Sequence, residues 1–140
     1  MASERLVENL LSLSRLLRPR QGSTMTPQQY WLMRHLRQAG PLSTGELAQA
    51  LGITTGSATV ACKRLEKAGL LTRERQMQDE RIVKVALTEQ GCAQIDALRQ
   101  AKREALTQWL DVLDPLQQET LQQMIEQLIN AAAAQGLGDE

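Results

Sequence analysis

The sequence changes its hydrophobic spacing near its middle, and this change is the strongest constraint on the fold. Between residues 46 and 69, apolar side chains recur at intervals of three and four, which is typical of helices. Gly52 interrupts this pattern and predicts a tight turn between two short helices. Residues 71–75 and 81–87 are short runs suited to strands, separated by the polar turn 76–80. Two helices and a hairpin in this order predict a winged helix-turn-helix.

Helices are also predicted on both sides of this region, so the expected fold is mainly α with a small antiparallel β wing. Each flanking helix follows a residue that caps helix N-termini, namely Ser3, Thr26, Thr88 and Asp114. Pro19 and Gly22 are expected to end the first helix. The second is expected to run to about Gln38. Its predicted core stripe is Gln29, Leu32, Met33 and Leu36, with Tyr30 at the edge.

The first and last helices carry broad apolar stripes. In the first, the stripe contains Leu6, Val7, Leu10, Leu13 and Leu17. In the last, it contains Leu121, Met124, Ile125, Leu128 and Ile129. Exposing both would be costly, because each buried leucine contributes roughly 1.5–3 kcal/mol. We expect a second copy of the chain to cover them around a two-fold axis; the alternative is that they fold back within the monomer.

The predicted organisation is a single domain over residues 1–140. Within it, residues 26–91 form the winged helix-turn-helix lobe, and residues 1–25 and 92–140 are mainly dimerisation helices. The first residues lack the layout of a signal peptide, and no apolar run reaches membrane-spanning length. The two cysteines are not spaced as a disulfide framework, which suits a reducing compartment. We therefore expect a cytoplasmic protein.

The charge of the chain is unevenly distributed, although its net charge is zero. Seven basic and four acidic residues lie between Thr54 and Lys84, whereas three basic and nine acidic residues lie from Val85 onward. A basic middle joined to an acidic tail is compatible with nucleic-acid binding. A solvated mixed surface explains the charge alone equally well.

The second helix of the predicted motif, from its cap Thr54 to about Ala68, has two different faces. One is an apolar packing stripe of Ala58, Ala61, Cys62 and Leu65, which makes Cys62 a core residue rather than a thiol sensor. The opposite face carries Thr55, Gly56, Thr59, Val60 and Lys63. Such a face can lie in a major groove, where hydroxyls bond phosphates or base edges and Gly56 leaves room for close backbone approach.

The chain resembles the multiple-antibiotic-resistance regulator (MarR) family in three stretches. The first is LAQALGITTGSATVACKRLEKAGLL, with Leu51-Gly52, Arg64-Leu65-Glu66 and Gly69-Leu70 at family positions. The second is Asp79-Glu80-Arg81 followed by Leu87-Thr88 and Gly91, which is similar to the family's wing signature. The third, TPQQYWLMRHL, is similar to the family's second helix. Gly56 departs from the family pattern, which has a side chain there.

The resemblance implies a homodimer joined by its terminal helices, with two recognition helices in successive major grooves of a palindromic operator. It also implies that Arg81 reaches from the wing into a minor groove, since narrow A·T-rich grooves concentrate negative potential. We hypothesise that Asp79 holds Arg73 or Arg75 and stiffens the hairpin. The predicted DNA-binding residues are Thr54, Thr55, Gly56, Ser57, Thr59, Val60, Lys63, Arg64, Arg73, Arg75, Asp79 and Arg81.

The prediction is thus a transcriptional regulator, and more specifically a repressor that a small effector releases from double-stranded DNA. The alternative is a winged-helix protein-interaction module that does not bind DNA. An enzyme is disfavoured, because no P-loop, dinucleotide motif or nucleophile–base arrangement is present. No metal or cofactor is expected, since His35 and two distant cysteines do not have zinc-ligand spacing.

The resemblance further suggests a small anionic aromatic effector. Trp31 and His35 are four residues apart and share a helix face, which is predicted to point away from the core stripe. They would supply an aromatic wall and a switchable hydrogen-bond donor. Arg15 or Arg18 on the first helix would offer charge to a carboxylate or phenolate. The alternative is that Trp31 and His35 pack against the dimerisation helices or lie at the surface.

Overall fold

A computed structural model describes residues 1–17, 25–76 and 78–136, without the side chains of residues 76 and 79–82. In chain order the elements are α1 (Glu4–Leu16), α2 (Pro27–Ala39), α3 (Thr44–Leu51), α4 (Thr55–Lys67), β1 (Leu71–Gln76), β2 (Asp79–Leu87), α5 (Glu89–Leu110) and α6 (Pro115–Ala134). The predicted mainly α fold with an antiparallel wing is confirmed. Pro19 and Gly22, expected to end the first helix, lie outside the described residues. Two compact units are formed, Met1–Arg99 and Gln100–Glu140.

Capping side chains begin the helices where the sequence predicts. The confirmed N-caps include Ser3, Thr26, Thr54 and Asp114. At α2 the cap is reciprocal: Thr26 Oγ1 accepts from the Gln29 N–H at 3.2 Å, and Gln29 Oε1 accepts from the Thr26 N–H at 3.1 Å. Such caps satisfy N–H groups that have no partner inside the helix. Thr88, also predicted as a cap, accepts from the Gly91 N–H at 3.0 Å.

The core of the unit Met1–Arg99 is built from α2, α3, α4, the wing and the start of α5. Its most buried large side chains are Tyr30, Leu32, Met33, Leu47, Cys62 and Ile95. Tyr30 is only 1% exposed, so its predicted place at the edge of the α2 stripe is wrong. The half-buried Gln29 bends back to cap the helix instead of entering the core. Tyr30 lies inside and packs edge-on against Trp31, with ring centroids 5.2 Å apart.

The wing is a two-stranded hairpin with a shorter turn than expected. Pairing runs from Leu71 opposite Leu87 to Gln76 opposite Asp79, with an irregularity after Arg75. The predicted turn 76–80 is therefore too wide, because main-chain pairing does not depend on the polarity of the side chains. Near the base of the wing, Val85 also exchanges two backbone hydrogen bonds with Leu42, which anchors the hairpin to the chain before α3.

The unit Gln100–Glu140 contains the second part of α5 and all of α6. Asp114 Oδ1 accepts from the Gln117 N–H at 2.8 Å, and Pro115 follows as the first helical residue. The Gln118 amide donates to the carbonyl oxygens of Leu110 at 2.9 Å and Leu113 at 3.2 Å, which closes the connection between the helices. Among the described residues, no helix has the length and apolar character needed to cross a membrane.

The apolar stripes of the first and last helices are largely exposed in the single chain. No residue of α1 is buried, and its large apolar side chains between Leu6 and Leu13 are roughly half exposed. In α6 the exposed apolar side chains include Leu116, Met124, Ile125, Leu128 and Ile129. The exposed apolar side chains are thus grouped along these two helices and are not scattered singly over the surface.

Candidate nucleic-acid interface

The turn between α3 and α4 sets the start of the second helix. Gly52 ends α3 in the left-handed conformation, at φ 65°, which costs glycine little and most other residues more. The next residue, Ile53, donates its N–H to the Ala48 carbonyl at 3.0 Å. Thr54 then caps α4. The chain between the two helices is thus only a few residues long and fully hydrogen-bonded at its centre, as a helix-turn-helix requires.

One side of α4 is buried as predicted. Ala58 and Leu65 are no more than 3% exposed, and Ala61 and Cys62 are also in the core. The opposite side is exposed, and Val60 is 52% exposed although it is apolar. The other exposed positions on α4 include Thr55, Gly56, Ser57, Lys63 and Arg64. The structure therefore brings these predicted contact residues together on the outer part of one helix.

Two of the predicted hydroxyls are already engaged within the helix. Thr54 Oγ1 accepts from the Ser57 N–H at 3.1 Å and donates to Ser57 Oγ at 3.0 Å. Half-buried Thr59 donates its hydroxyl to the Thr55 carbonyl at 2.8 Å. Both retain acceptor capacity but have used their single donor. As a hydroxyl donor to an outside group, Thr55 is thus better placed than Thr54 or Thr59.

The basic residues of the motif fall into two groups. In the described part of the chain, Lys63 and Arg64 form no ion pair, and both are exposed. Arg73 donates from Nε to Glu66 Oε2 at 2.8 Å, which links β1 to α4. The sequence did not predict Glu66 as the partner of Arg73, because a contact between a helix and a strand has no fixed spacing in sequence. The hypothesis that Asp79 holds Arg73 or Arg75 stays a prediction, since the Asp79 side chain lies outside the described part of the structure.

The wing residues are located by their strands. Arg75 lies exposed on β1 opposite Val83, and Asp79 begins β2 opposite Gln76. Arg81 is the third residue of β2. The side chains of Asp79 and Arg81 lie outside the described part of the structure, so their DNA contacts stay predictions.

A second ion pair, which the sequence did not predict, joins α2 to α5. Arg37 donates from Nε and Nη2 to the two carboxylate oxygens of Asp96, each at 3.1 Å. Both side chains are about half exposed. The hydrogen bonds from Arg37 hold the pKa of the Asp96 carboxyl below its ordinary value. This bidentate contact connects the first part of α5 to α2, the helix that carries much of the core.

The predicted effector residues are only partly brought together. Trp31 is packed against the core, so its predicted orientation away from the core stripe is wrong. Its neighbours Tyr30 and Leu32 are buried, and the partly buried Trp31 ring packs against the same core. His35 is half-buried on the same helix. Arg15 donates to Ser12 Oγ of its own helix at 3.0 Å, and Arg18 lies outside the described residues.

Arg34, which the sequence analysis did not single out, lies beside Trp31. Its guanidinium carbon lies 5.2 Å from the centre of the Trp31 ring, within reach of a cation–π contact. Its Nε is buried and has no hydrogen-bond partner among the residues that the structure describes. A separate open depression of about 510 Å³ lies along α5 and contains none of these residues. It is lined by Gln100, Arg103, Glu104, Thr107 and Gln108.

The two cysteines differ in burial. Cys62 is buried, and burial raises the pKa of its thiol, which makes it less reactive. Cys92 is half-buried. Within the described ranges, no three His, Cys, Asp or Glu side chains are grouped in a way that suits a metal ion.

Two helices joined by the Gly52 turn and followed by a hairpin define the class of the fold, a winged helix-turn-helix. The model of the MarR family matches residues 23–82. An uncharacterised HTH-type transcriptional regulator of Bacillus cereus is 32% identical over 105 residues, which cover 75% of this chain and 67% of that protein. The HTH-type transcriptional repressor MdtR of Bacillus subtilis is 24% identical over 89 residues, or 64% of this chain and 57% of MdtR.

Solved structures agree on the fold. Streptococcus pneumoniae FabT, crystallised in complex with DNA, matches with a TM-score of 0.78 at 18% identity, covering 94% of this chain and 97% of FabT. The chain spans only 35–57% of the length of several curated relatives that it matches. The family match, the B. cereus relative and the fold together show that the chain belongs to the MarR family.

Proposed function

We propose that the protein is a homodimeric, sequence-specific DNA-binding regulator that represses transcription from a palindromic operator. The observation that carries this proposal is the outer side of α4, where Lys63, Arg64 and Thr55 are exposed beside Val60. Packing of the core explains the buried side of this helix, but it does not explain why the other side carries cations that have no carboxylate partner among the described residues. Cations bind phosphates, and an exposed valine suits contact with a thymine methyl group in the major groove.

The proposed dimer follows from the exposed apolar stripes. Met124, Ile125, Leu128 and Ile129 lie in the last helix and are 43–59% exposed. Burying such side chains against a second copy is favourable by roughly 25 cal/mol per Å² of apolar surface. A two-fold dimer also places two recognition helices on one side of the duplex, so half-sites about one helical turn, or 10 base pairs, apart are expected.

Repression is the proposed direction of regulation. MdtR is named a transcriptional repressor and FabT is described in complex with DNA, and these two likenesses support the proposal. A dimer on an operator that overlaps a promoter blocks access to it by occupancy alone. Sequencing the genomic fragments that the purified protein retains would locate such operators.

The dimer is tested by comparing the intact chain with variants carrying Leu121→Glu and Leu128→Glu. Analytical ultracentrifugation at micromolar concentration should show a dimer for the parent chain and a monomer or insoluble protein for the double variant. Glu119→Gln, which changes charge on the same helix outside the stripe, should leave the dimer intact. A monomeric parent chain contradicts the proposed assembly.

DNA binding is tested by fluorescence anisotropy with a retained fragment. Lys63→Ala should weaken binding and reduce the salt dependence, because each phosphate contact releases about 0.9 counterion. Arg103→Ala on α5 removes the same charge from an exposed position and should leave affinity unchanged. The alternative, a protein-interaction module, predicts no binding to any duplex even at low salt.

The wing is tested separately. Arg81→Ala should cost on the order of 1–3 kcal/mol of binding free energy. The loss should be largest for operators whose flanking sequence is rich in A·T pairs. Lys63→Ala should weaken binding by a similar amount for all operator variants. If Arg81→Ala binds every flank variant as tightly as the parent chain, the proposed minor-groove contact is wrong.

We propose, as a second part of the function, that a small anionic aromatic effector releases the DNA. The supporting observation is Arg34, whose guanidinium lies against Trp31 and whose buried Nε has no hydrogen-bond partner among the described residues. An acid that opens the packing around this nitrogen would accept its hydrogen bond, and His35 lies one residue further on the same helix. Coupling of about 1–3 kcal/mol would weaken DNA binding roughly 5–150-fold.

Salicylate-like phenolic acids, titrated against the protein–DNA complex, test this second part. Trp31→Ala, Arg34→Ala and His35→Ala should each raise the concentration needed for release. Identical concentrations for the parent chain and all three variants would place the site elsewhere. No release at millimolar concentrations would reject this class of effector.

A further inference from the structure

The helices α3 and α4 each have a glycine as their second residue, Gly45 and Gly56. Neither glycine has a positive φ. A Cβ atom built on Gly45 would meet nothing closer than the capping Ser43 Oγ at 3.9 Å, and one on Gly56 nothing closer than the capping Thr54 Oγ1 at 3.9 Å. Alanine therefore fits at both positions, both in backbone conformation and in the space available for its Cβ atom.

Glycine at such a position is a cost to folding, because it loses more conformational freedom than alanine when the helix forms. In other parts of the fold a glycine is required: a Cβ atom on Gly91 would overlap with the Leu70 carbonyl. Gly56 has no such reason in the described structure. Any requirement for glycine at this position therefore comes from something that the folded chain contacts.

The surroundings of Gly56 indicate what that reason is. It lies on the outer part of α4, with Thr55 beside it and Val60 four residues on, so on the same side of the helix. At Gly56 this face, which is proposed above to meet the major groove, carries no side chain. Thr59, three residues on, does not direct its donor toward this place, because its hydroxyl is bonded to the Thr55 carbonyl.

We infer that Gly56 is a specificity-determining position, where the absence of a side chain leaves room for one base-pair edge to approach the α4 backbone beside Val60. This inference rests on the proposed DNA binding. The edge that fits is that of an A·T pair, since the thymine methyl is the major-groove group that protrudes and packs on apolar side chains. Any side chain at position 56 pushes this pair away.

The matched variants Gly56→Ala and Gly45→Ala test the inference, because the two glycines have the same helical position and the same free space. Each is used to select from duplexes with a randomised centre of about 30 base pairs, long enough for two half-sites one turn apart. Thermal unfolding is measured alongside. Both variants should unfold at a Tm about 2–4 °C above that of the parent chain.

The selections should then differ. The parent chain and Gly45→Ala should enrich the same half-site, with an A·T pair at one fixed position. Gly56→Ala should lose that preference and bind the parent sequence about tenfold more weakly, the loss of one good base contact. Gly56→Ser should lose it as well.

Two outcomes overturn the inference, and they are distinguishable. If the parent chain enriches a half-site and Gly56→Ala enriches the same one with equal affinity, Gly56 does not determine specificity, while the proposed function stands. If the parent chain enriches no sequence, the proposed function fails and the inference fails with it.

Discussion

Glu66 on α4 and Arg73 on β1 form an ion pair, with 2.8 Å between Oε2 and Nε. Each side chain is about 40% exposed. The contact joins the proposed recognition helix to the wing, so the two elements that would read DNA are tied to each other as well as to the core. Because water reaches both groups, its contribution to stability is expected to be small.

The strength of this pair is measurable by a double-mutant cycle. Glu66→Ala, Arg73→Ala and the double variant should give a coupling of roughly 0.2–1 kcal/mol in the free energy of unfolding, measured with urea. The coupling should shrink at high salt, because exposed charges are screened. Strict additivity of the two single variants at low salt would show that the pair does not form.

The Arg37–Asp96 pair predicts a pH dependence of stability. Hydrogen bonds from Arg37 lower the pKa of Asp96 below its ordinary value of 3.8. The stabilisation is therefore fully present above about pH 4 and is lost as the pH falls through the lowered pKa. Asp96→Asn should lose less Tm than the parent chain between pH 6 and pH 3.

Asp111→Asn is the control for that experiment, since Asp111 forms no ion pair within the described residues. It should keep the acid dependence of the parent chain. An equal fall in Tm for the parent chain and Asp96→Asn would contradict a role for Asp96.

Gly91 is expected to tolerate no side chain. A Cβ atom there would overlap with the Leu70 carbonyl oxygen, which cannot move freely because it accepts the Thr88 N–H at 3.0 Å. Gly91→Ala should reduce the free energy of unfolding by about 1–3 kcal/mol, as overpacking does. Gly45→Ala, measured in the same urea titration, should not be destabilising. Equal stability of the two variants would mean that the start of α5 is not held as described.

The two cysteines should differ in reactivity. Cys62 is buried and burial raises the pKa of its thiol, whereas Cys92 is half-buried. A maleimide followed by mass spectrometry should label Cys92 first in the native protein, and Cys62 only after unfolding. Equal labelling rates under native conditions would contradict the placement of Cys62 in the core.

The features predicted correctly from the sequence are those that depend only on neighbouring residues. The caps at Thr26, Thr54 and Asp114 depend on neighbours within three residues, and the structure has them where expected. The orientation of Tyr30 and Trp31 was predicted wrongly, because it depends on which side of α2 the other helices cover. Arg37 and Asp96 are 59 positions apart, and no pattern in one sequence indicates such a contact.

In the candidate interface too, the features set by local sequence were predicted, and those set by contacts in the folded chain were not. The exposed side of α4 follows from helical periodicity, and Thr55, Gly56, Val60 and Lys63 are exposed there as predicted, while their contacts with DNA stay predictions. The use of the Thr54 and Thr59 hydroxyls within the helix depends on rotamers, which the sequence does not specify. The requirement for glycine at position 91 becomes clear only when Leu70 is seen beside it.

The most direct test of the account is the stoichiometry and salt dependence of binding to a duplex selected by the parent chain. A homodimeric, sequence-specific DNA-binding protein should give two chains per duplex, an inverted repeat with half-sites about 10 base pairs apart, and affinity that falls steeply with salt. Equal affinity for the selected duplex and a random one, with a flat response to salt, would contradict it.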